Sequence, residues 1–373
     1  MPHSCREQED GRSRRTAWAP RSRVAILTGE LQRPSRLRGG DRIAAVTLSW
    51  GGPGEIPHRY EAGKRQLEEA FGVTVVEMPH TLADPEFVAD HPQARADDLH
   101  QALADPDIAG IVSPIGGDDS IRLLPHLDLE LVAANPKVFL GYSDTTVTQM
   151  AFLRAGVVSF YGPAIMAGFA ENGGLHPYLR EGVRRMLFEP EAPLDWPENR
   201  EGWTVEFVDW LDPSSQNRRR TRRPSSGWRW LGGEPTEGTL VAGCLEAVDW
   251  LRGTDWWPDL DGAVLALETS EEAPPPDAVQ RFLRSLAARG DLERLGGLLF
   301  GRPGGASLPP DEHERYDETL LRVVRRESFL EEIPIVSGLD FGHTDPIWTL
   351  PQGIRVRVDP SSERITFLEA GVA

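Results

Sequence analysis

Lysine is almost absent from this chain: Lys64 and Lys137 are the only two in 373 residues. Acidic residues outnumber lysine and arginine by 58 to 40, and the formal net charge is -18. Binding to nucleic acid needs a basic surface that displaces counterions from the phosphates. The composition therefore argues against a nucleic-acid partner and favours a small neutral or cationic ligand.

Cysteine and long apolar runs are also scarce. Cys5 and Cys244 are the only cysteines, and neither belongs to a CxxC or Cys/His cluster, so neither a disulfide framework nor a zinc site is indicated. No apolar run approaches the roughly 20 residues that cross a bilayer, and the Arg-rich N-terminus lacks the apolar core of a secretory signal. We expect a soluble, cytoplasmic protein that does not bind membranes.

The remaining pattern predicts two α/β domains, because a chain of this length with 39% hydrophobic residues can supply two cores. Residues 1–36 show no apolar period and are predicted to form a disordered tail. Alternating strands and helices predict a parallel sheet over residues 37–195. After a polar, Trp-rich connector at 196–237, which contains a run of arginines, a second β/α domain is expected over 238–373.

Ser143 stands where an apolar strand turns directly into a helical pattern, in Phe-Leu-Gly-Tyr-Ser-Asp-Thr-Thr. A serine at such an elbow projects its hydroxyl above the sheet, and the N–H of Asp144 would point to where an oxyanion forms. Thr145 stands where a GxSxG motif has its second glycine, which disfavours an α/β-hydrolase. The alternative is that Ser143 caps the helix, and the pattern alone leaves both interpretations open.

Gly116 and Gly117 also follow a predicted strand, and a parallel sheet would bring them to the same edge as Ser143. Adjacent glycines allow backbone N–H groups to approach a ligand closely. Gly117 is a candidate second oxyanion donor and Gly116 a candidate substrate contact. A simple strand-to-helix turn explains the pair equally well.

Glu268 and His343 are the candidates for the remaining catalytic groups. Glu268 ends an apolar strand, where a carboxylate needs a partner such as an imidazole, whereas Glu271 and Glu272 have the pattern of a solvated turn. His343 lies in a loop after a strand, and loops carry many site residues. A structural loop histidine is the ordinary alternative.

These segments resemble the LD-carboxypeptidase family of serine peptidases. The resemblance lies in Ile-Gly-Gly-Asp-Asp-Ser at 115–120, in Gly-Tyr-Ser-Asp-Thr-Thr at 141–146, in Leu-Ala-Leu-Glu at 265–268 and in the run from Gly342. It extends from about residue 37 to the end of the chain. The Ile-Gly-Gly sequence is most similar to the microcin C immunity branch, since peptidoglycan-recycling members have Arg-Gly-Gly there.

The resemblance implies a triad with Ser143 as nucleophile, His343 as general base and Glu268 orienting the histidine. It also implies an oxyanion hole from the Gly117 and Asp144 amides. The implied fold is an N-terminal flavodoxin-like parallel-sheet domain followed by a C-terminal swivelling β/α domain, without a metal or cofactor and commonly as a homodimer. One departure is that Ala242 and Cys244 replace a glycine and an asparagine that the family usually has.

The predicted function is cleavage of an amide bond in a short peptide or an aminoacyl-nucleotide through an acyl-enzyme. Two alternatives are an LD-carboxypeptidase acting on cell-wall muropeptides and, from another class, a catalytically silent protein that binds a small ligand. Residues 206–210 resemble the segment that covers the pocket in the microcin branch. Trp210 is therefore predicted to stack on a nucleobase, a role that Trp228 and Trp230 would share unless these rings only anchor the connector.

Overall fold

The computed structural model describes residues 31–305, 308–309 and 312–373 as a mixed α/β protein with two sheets. The strands in these ranges are β1 Arg42–Ala45, β2 Thr74–Glu77, β3 Ile108–Val112, β4 Val138–Gly141, β5 Phe160–Tyr161, β6 Leu194–Asp195, β7 Arg229–Trp230, β8 Thr236–Cys244, β9 Val264–Glu268, β10 Gly297–Gly301, β11 Ile335–Leu339, β12 Leu350–Pro351, β13 Arg355–Asp359 and β14 Arg364–Phe367. The α-helices are α1 Gly52–Glu55, α2 Pro57–Phe71, α3 Pro85–Asp90, α4 Pro92–Ala104, α5 Leu129–Ala134, α6 Thr146–Arg154, α7 Pro177–Val183, α8 Leu245–Trp250, α9 Pro276–Arg289 and α10 Glu312–Leu321.

The first sheet has the strand order β2-β1-β3-β4-β5, all parallel, with β12 added antiparallel to β5. The five parallel strands reproduce the flavodoxin-like order, in which ligands bind beyond the carboxyl ends of the strands. The predicted parallel-sheet fold is confirmed. The central strands β3 and β4 are almost wholly buried and apolar, as expected for a sheet that helices cover on both faces.

The second sheet has eight strands in the order β6-β14-β13-β8-β9-β10-β11-β7. Its centre, β8 to β11, is parallel, and antiparallel strands extend it on both sides. Cys244 at the end of β8 pairs in register with Glu268 at the end of β9. The carboxyl ends of these central strands therefore lie at one edge, and Glu268 stands at that edge.

Residues from both sheets meet near the start of α6. The Cys244 N–H at the end of β8 donates a hydrogen bond of 3.1 Å to the Thr146 hydroxyl, and that hydroxyl donates to the Ser143 carbonyl at 2.6 Å. The C-terminal strand β12 completes the first sheet by pairing Leu350 with Tyr161. The domain boundaries at 195 and 237 stay a prediction, since β6 and β7 both contribute to the second sheet.

Residues 1–30 of the predicted tail lie outside the described residues. Gln32, which also falls within that predicted segment, forms a parallel bridge with Val157 and donates its backbone N–H to the Gly156 carbonyl at 2.8 Å. Residues 31–36 are thus tied to the fold by backbone hydrogen bonds. Within 31–305, 308–309 and 312–373, no helix combines the length and apolarity that crossing a membrane requires.

Candidate active site

Ser143 occupies the sharp turn between β4 and α6. Its φ angle of 64° lies in the left-handed region, which costs a non-glycine residue about 1–3 kcal/mol and is typical of a nucleophile elbow. The side chain makes no capping hydrogen bond to the following helical turns. The capping alternative is therefore wrong, because the strained backbone directs the hydroxyl away from the helix and toward the second sheet.

A hydrogen-bonded chain joins Ser143, His343 and Glu268, which the sequence separates widely. His343 Nε2 lies 3.1 Å from Ser143 Oγ, and His343 Nδ1 lies 2.7 Å from Glu268 Oε2. The His343 backbone N–H also donates to Glu268 Oε2 at 3.2 Å. Gly342 has a φ angle of 93°, and a Cβ at this position would collide with the Glu268 carboxylate. Gly342 therefore allows the loop that carries His343 to pack directly against the Glu268 carboxylate.

Tyr161 is a site residue for which the sequence analysis gave no role. Its hydroxyl donates a hydrogen bond to Glu268 Oε1 and accepts the backbone N–H of Ser143 at 3.2 Å. Burial and the neighbouring Glu268 raise the pKa of Tyr161 well above its usual range, so the phenol stays a donor. Both Glu268 oxygens therefore have partners although the side chain is fully buried. The segment Ser159-Phe-Tyr-Gly-Pro offers no sequence signal that singles out the tyrosine.

The glycine loop after β3 packs directly against the nucleophile. A Cβ at Gly116 would lie 2.7 Å from the Ser143 Cβ, so only glycine fits there. Gly117 adopts a φ angle of 150° beside Ser49 and Trp50. The described hydrogen bonds include none donated by the Gly117 N–H. The Gly117 backbone thus lies close to the nucleophile turn, as the sequence predicts. Its role as an oxyanion donor stays a prediction.

The Asp144 side chain ties the nucleophile turn to this glycine loop. Its carboxylate accepts the backbone N–H groups of Asp119 at 3.2 Å and Ser120 at 3.1 Å, and the Ser120 hydroxyl donates to the Asp144 carbonyl at 2.7 Å. Burial raises the pKa of Asp144 to about 6, against the lowering effect of these hydrogen bonds. Sequence reasoning used only the Asp144 amide and missed this bridging role of its side chain.

His343 is surrounded by carboxylates. Burial lowers the pKa of His343, but the charges of Glu268, Glu271 and Glu246 and the hydrogen bond to Glu268 outweigh it and raise the pKa to about 9. Glu271, predicted as part of a solvated turn, is 73% exposed, yet its carboxylate lies 3.1 Å from His343 Nε2. Glu246 accepts both the N–H and the hydroxyl of Ser270, at 3.1 and 2.6 Å. The imidazolium form is thus strongly stabilised.

Cys244, Glu268 and His343 form a group whose ligand atoms all lie within 4.8 Å of one another in the described part of the chain. Such a donor set suits a thiophilic divalent metal. However, His343 Nδ1 and Glu268 are already paired, and burial together with Glu268 and Glu246 raises the pKa of the Cys244 thiol well above its usual range. The donors as arranged fit a proton-transfer chain better than a metal centre, because metal binding would need a thiolate and would break the triad hydrogen bond.

The connector packs beside the His343 loop. Arg220, from its run of arginines, forms ion pairs with Glu171 and with Asp345, two residues beyond His343. Thr204 and Asp345 exchange backbone hydrogen bonds of 2.7 and 3.0 Å. Arg220 therefore holds the connector to the loop that carries the candidate base.

Trp210 lies on the connector with its ring over the buried guanidinium of Arg59, 4.5 Å from Cζ to the ring centroid. Trp228 is placed differently: its indole N–H donates to Asp340 at 2.9 Å and its ring packs edge-on against Trp196. Trp230 belongs to edge strand β7. Trp228 thus anchors the connector, and Trp210 remains the candidate stacking residue.

Comparison with known proteins places the chain in a family. Residues 43–162 match the model of the LD-carboxypeptidase N-terminal domain, and residues 237–358 match that of the LD-carboxypeptidase C-terminal domain. The microcin C7 self-immunity protein MccF of Escherichia coli is 28% identical over 281 residues, which are 74% of this chain and 78% of that protein.

Two further comparisons span most of both chains. The murein tetrapeptide carboxypeptidase of Pseudomonas aeruginosa is 28% identical over 287 residues, 76% of this chain and 82% of that protein. A solved structure of MccF in complex with aspartyl sulfamoyl adenosine has a TM-score of 0.80 at 26% identity and covers 92% of this chain and 100% of that one. The two matched domains together span more than half of the sequence, and the chain belongs to the LD-carboxypeptidase family of serine peptidases.

Proposed function

We propose that this serine peptidase cleaves the amide-type bond between an aminoacyl group and a modified nucleotide, or the amide bond of a short peptide, with Ser143 as nucleophile. The observation that carries the proposal is the chain of contacts from Ser143 Oγ through His343 to Glu268, at 3.1 and 2.7 Å. The left-handed backbone of Ser143 supports the same assignment. A serine that is oriented in this way by a histidine and a buried acid is the arrangement of an activated nucleophile.

In the proposed reaction, His343 removes the Ser143 proton as Oγ attacks the carbonyl carbon. The C–N bond then breaks as His343 returns the proton to the leaving nitrogen, and an acyl-enzyme remains. Water hydrolyses this ester with His343 again as base. Glu268 stabilises the imidazolium in both steps, and the Gly117 and Asp144 amides hold the oxyanion.

The MccF structure with aspartyl sulfamoyl adenosine supports an aminoacyl-nucleotide as the first candidate substrate. The second candidate is a muropeptide, favoured by the similarity to a murein tetrapeptide carboxypeptidase. A muropeptide presents a free carboxylate that needs a cation. The nearby arginines are already engaged, Arg220 by Glu171 and Asp345, and Arg59 by Asn172 and Gln216. This engagement ranks the muropeptide second.

The decisive experiment offers the purified protein an aminoacyl sulfamoyl adenosine and a muropeptide tetrapeptide in parallel, with product release followed by mass spectrometry. We expect faster hydrolysis of the aminoacyl compound and none by Ser143→Ala. Exclusive hydrolysis of the tetrapeptide would move the cell-wall function to first place. Binding of either compound without hydrolysis would favour a catalytically silent binding protein. The expected homodimer and cytoplasmic location belong to the same proposal and are tested by light scattering and cell fractionation.

A further inference from the structure

Glu271 lies on the turn that follows β9 and touches the candidate base from the solvent side. Its carboxylate is 3.1 Å from His343 Nε2, the nitrogen that also contacts Ser143 Oγ at 3.1 Å. The side chain is 73% exposed, so it can move without disturbing the core. The next residue, Glu272, is also exposed, and its described hydrogen bond uses only its backbone N–H, which donates to Ser270. Glu271 is thus distinguished by its contact with His343.

The Glu271 contact is compatible with only one protonation state of His343. A neutral imidazole that donates from Nδ1 to Glu268 has a lone pair at Nε2, and a lone pair repels a carboxylate. The contact between Glu271 and Nε2 therefore requires a protonated His343. This agrees with the pKa of His343, which the surrounding carboxylates raise to about 9 in spite of burial. An imidazolium cannot act as a base. In the enzyme without substrate, Glu271 consequently adds to the larger effect of Glu268 in favouring the protonated, inactive form of His343.

A cationic group of the substrate that pairs with Glu271 would weaken the effect of Glu271 on His343 and favour the neutral imidazole. The position of the cation follows from the geometry, because Glu271 and Ser143 both contact Nε2 and so lie within about 6 Å of each other. A reacting carbonyl carbon sits about 3–3.5 Å from the nucleophile. The α-ammonium of an aminoacyl group is attached to the carbon next to that carbonyl, within reach of Glu271.

We infer that Glu271 binds the free α-ammonium group beside the scissile carbonyl and is a specificity-determining residue that admits aminoacyl substrates and frees His343 as they bind. The inference rests on the proposed function. A peptide bond in the interior of an acylated chain has no such ammonium group, and a terminal carboxylate near Glu271 would meet repulsion. The substrate class is therefore an amide whose acyl part is a single amino acid with a free amine.

The charges around the site agree with a cationic group. Glu246 adds a second carboxylate that acts on His343. Neither lysine of the chain is available to bind an acidic group there: Lys64 pairs with Glu77 at 2.6 Å, and Lys137 donates to backbone carbonyls near Asp105. The aspartyl ligand of MccF carries a side-chain carboxylate, so this chain is expected to accept a neutral or basic amino acid instead.

The test compares an alanyl sulfamoyl adenosine with its N-acetyl derivative, measured as kcat/KM for the wild type, Glu271→Gln and Glu272→Gln. We expect the wild type and the Glu272→Gln control to favour the free amine at least tenfold, and Glu271→Gln to lose most of that preference. The acidic limb of the pH profile should also shift to lower pH in Glu271→Gln alone. A merely structural glutamate would change neither the amine preference nor this limb.

The inference would be overturned if the wild type hydrolysed the free amine and its N-acetyl derivative with similar kcat/KM, or if Glu271→Gln kept the preference for the free amine. Either result would leave the proposed hydrolysis intact. If neither compound is hydrolysed, the proposed function fails, and binding decides the inference. Calorimetry with Ser143→Ala and with Ser143→Ala/Glu271→Gln then measures both compounds. A preference for the free amine that only the double variant loses supports amine recognition by Glu271, and equal affinities refute it.

Discussion

The two sides of the site around Ser143 are built in different ways. On one side, Glu268 ends a central strand and His343 follows another, and both side chains are almost fully buried and hydrogen-bonded. On the other side, the connector is held by ion pairs such as that of Arg220, and it exposes Phe207 and Leu211 by 74% and 66%. Groups on strand ends are oriented rigidly, whereas a loop held by ion pairs can be changed without rebuilding the sheet. We infer that the first side determines reactivity and that the connector, together with the exposed Glu271, determines selectivity.

The largest effect should follow from Ser143→Ala, which removes the proposed nucleophile on the rigid side. We expect turnover to fall by a factor of at least about 10³, because the remaining groups cannot form an acyl-enzyme. The hydroxyl makes no capping hydrogen bond to the following turns, so folding should be preserved. Single-turnover kinetics with circular dichroism of both proteins provide the check. Ser285→Ala, on α9, is a suitable control, and normal turnover by Ser143→Ala would remove Ser143 from the mechanism.

Glu268→Gln should give the next largest loss, about 10⁴-fold in kcat by analogy with amide replacement of the acid in a serine protease triad. The amide cannot accept from both His343 and Tyr161 as the carboxylate does, so the imidazole would lose its orientation. The measurement is kcat at saturating substrate, with the melting temperature recorded in parallel. Near-normal turnover would mean that another carboxylate, such as Glu271, orients the histidine.

The carboxylates around His343 predict that the rate of hydrolysis increases toward alkaline pH. His343 must be neutral to act as base, and its pKa of about 9 means that kcat/KM on a substrate without a free amine should rise about tenfold per pH unit up to about pH 9 and then level off. The raised pKa of His343 also stabilises the folded protein, but this effect decreases with rising pH whereas kcat/KM increases. Because the folded pKa lies above the unfolded value of about 6.5, this contribution is fully present below pH 6.5 and is lost as the pH rises through 9.

A pH–rate profile checks this prediction, with circular dichroism at each pH to verify folding. The groups that act on His343 are Glu268, Glu271 and Glu246, so a profile that bends near pH 6.5 in the wild type would show that they do not charge the imidazole in solution. Glu272→Gln should leave the profile unchanged.

Arg220→Lys tests the connector side. An arginine presents several N–H groups and can join Glu171 to Asp345, whereas a lysine is a single point charge that cannot replace both contacts. We expect kcat/KM to fall about tenfold, chiefly through kcat, because Asp345 lies in the His343 loop. Arg218→Lys is the matched control, since Arg218 is 53% exposed and pairs with Glu206 at the surface. Equal kinetics of the two variants would show that the connector does not affect the catalytic loop.

The rigid side was far easier to predict from sequence than the connector. Ser143 and Glu268 each stand at the end of an apolar strand, so each position follows from local pattern and the topology of its own sheet. Their meeting depends on how the two sheets pack, because β4 and β9 belong to different sheets. Tyr161 was missed because β5 has only two residues and its pairing with β12 joins distant segments. The exposed turn of Glu271 was predicted correctly, but its contact with His343 depends on how two loops fold together. Long-range ion pairs such as that of Arg220 leave no periodicity in the sequence.

Trp210→Ala should have the smallest effect on chemistry and the clearest effect on selectivity. The Arg59 guanidinium, whose pKa burial and Arg220 lower to about 10, stays charged near neutral pH and covers one face of the indole. Under the proposal a nucleobase stacks on the other face, and such stacking contributes roughly 1 to 3 kcal/mol. We therefore expect Trp210→Ala to lose about tenfold in kcat/KM on an aminoacyl-nucleotide.

The alternative for Trp210 is that its ring only shields the buried Arg59, and a pair of substrates separates the two roles. If the ring binds a base, the loss on a plain dipeptide amide should be small, because that substrate has no flat group to stack. If the ring only supports Arg59, which also holds Asn172 and Gln216, both substrates should suffer alike and the melting temperature should fall. Trp210→Phe keeps an aromatic ring beside Arg59 and should retain most of the discrimination. Equal losses on the two substrates would leave nucleobase stacking without support. A muropeptide would then be the first candidate substrate, because the connector would line the site without recognising a base.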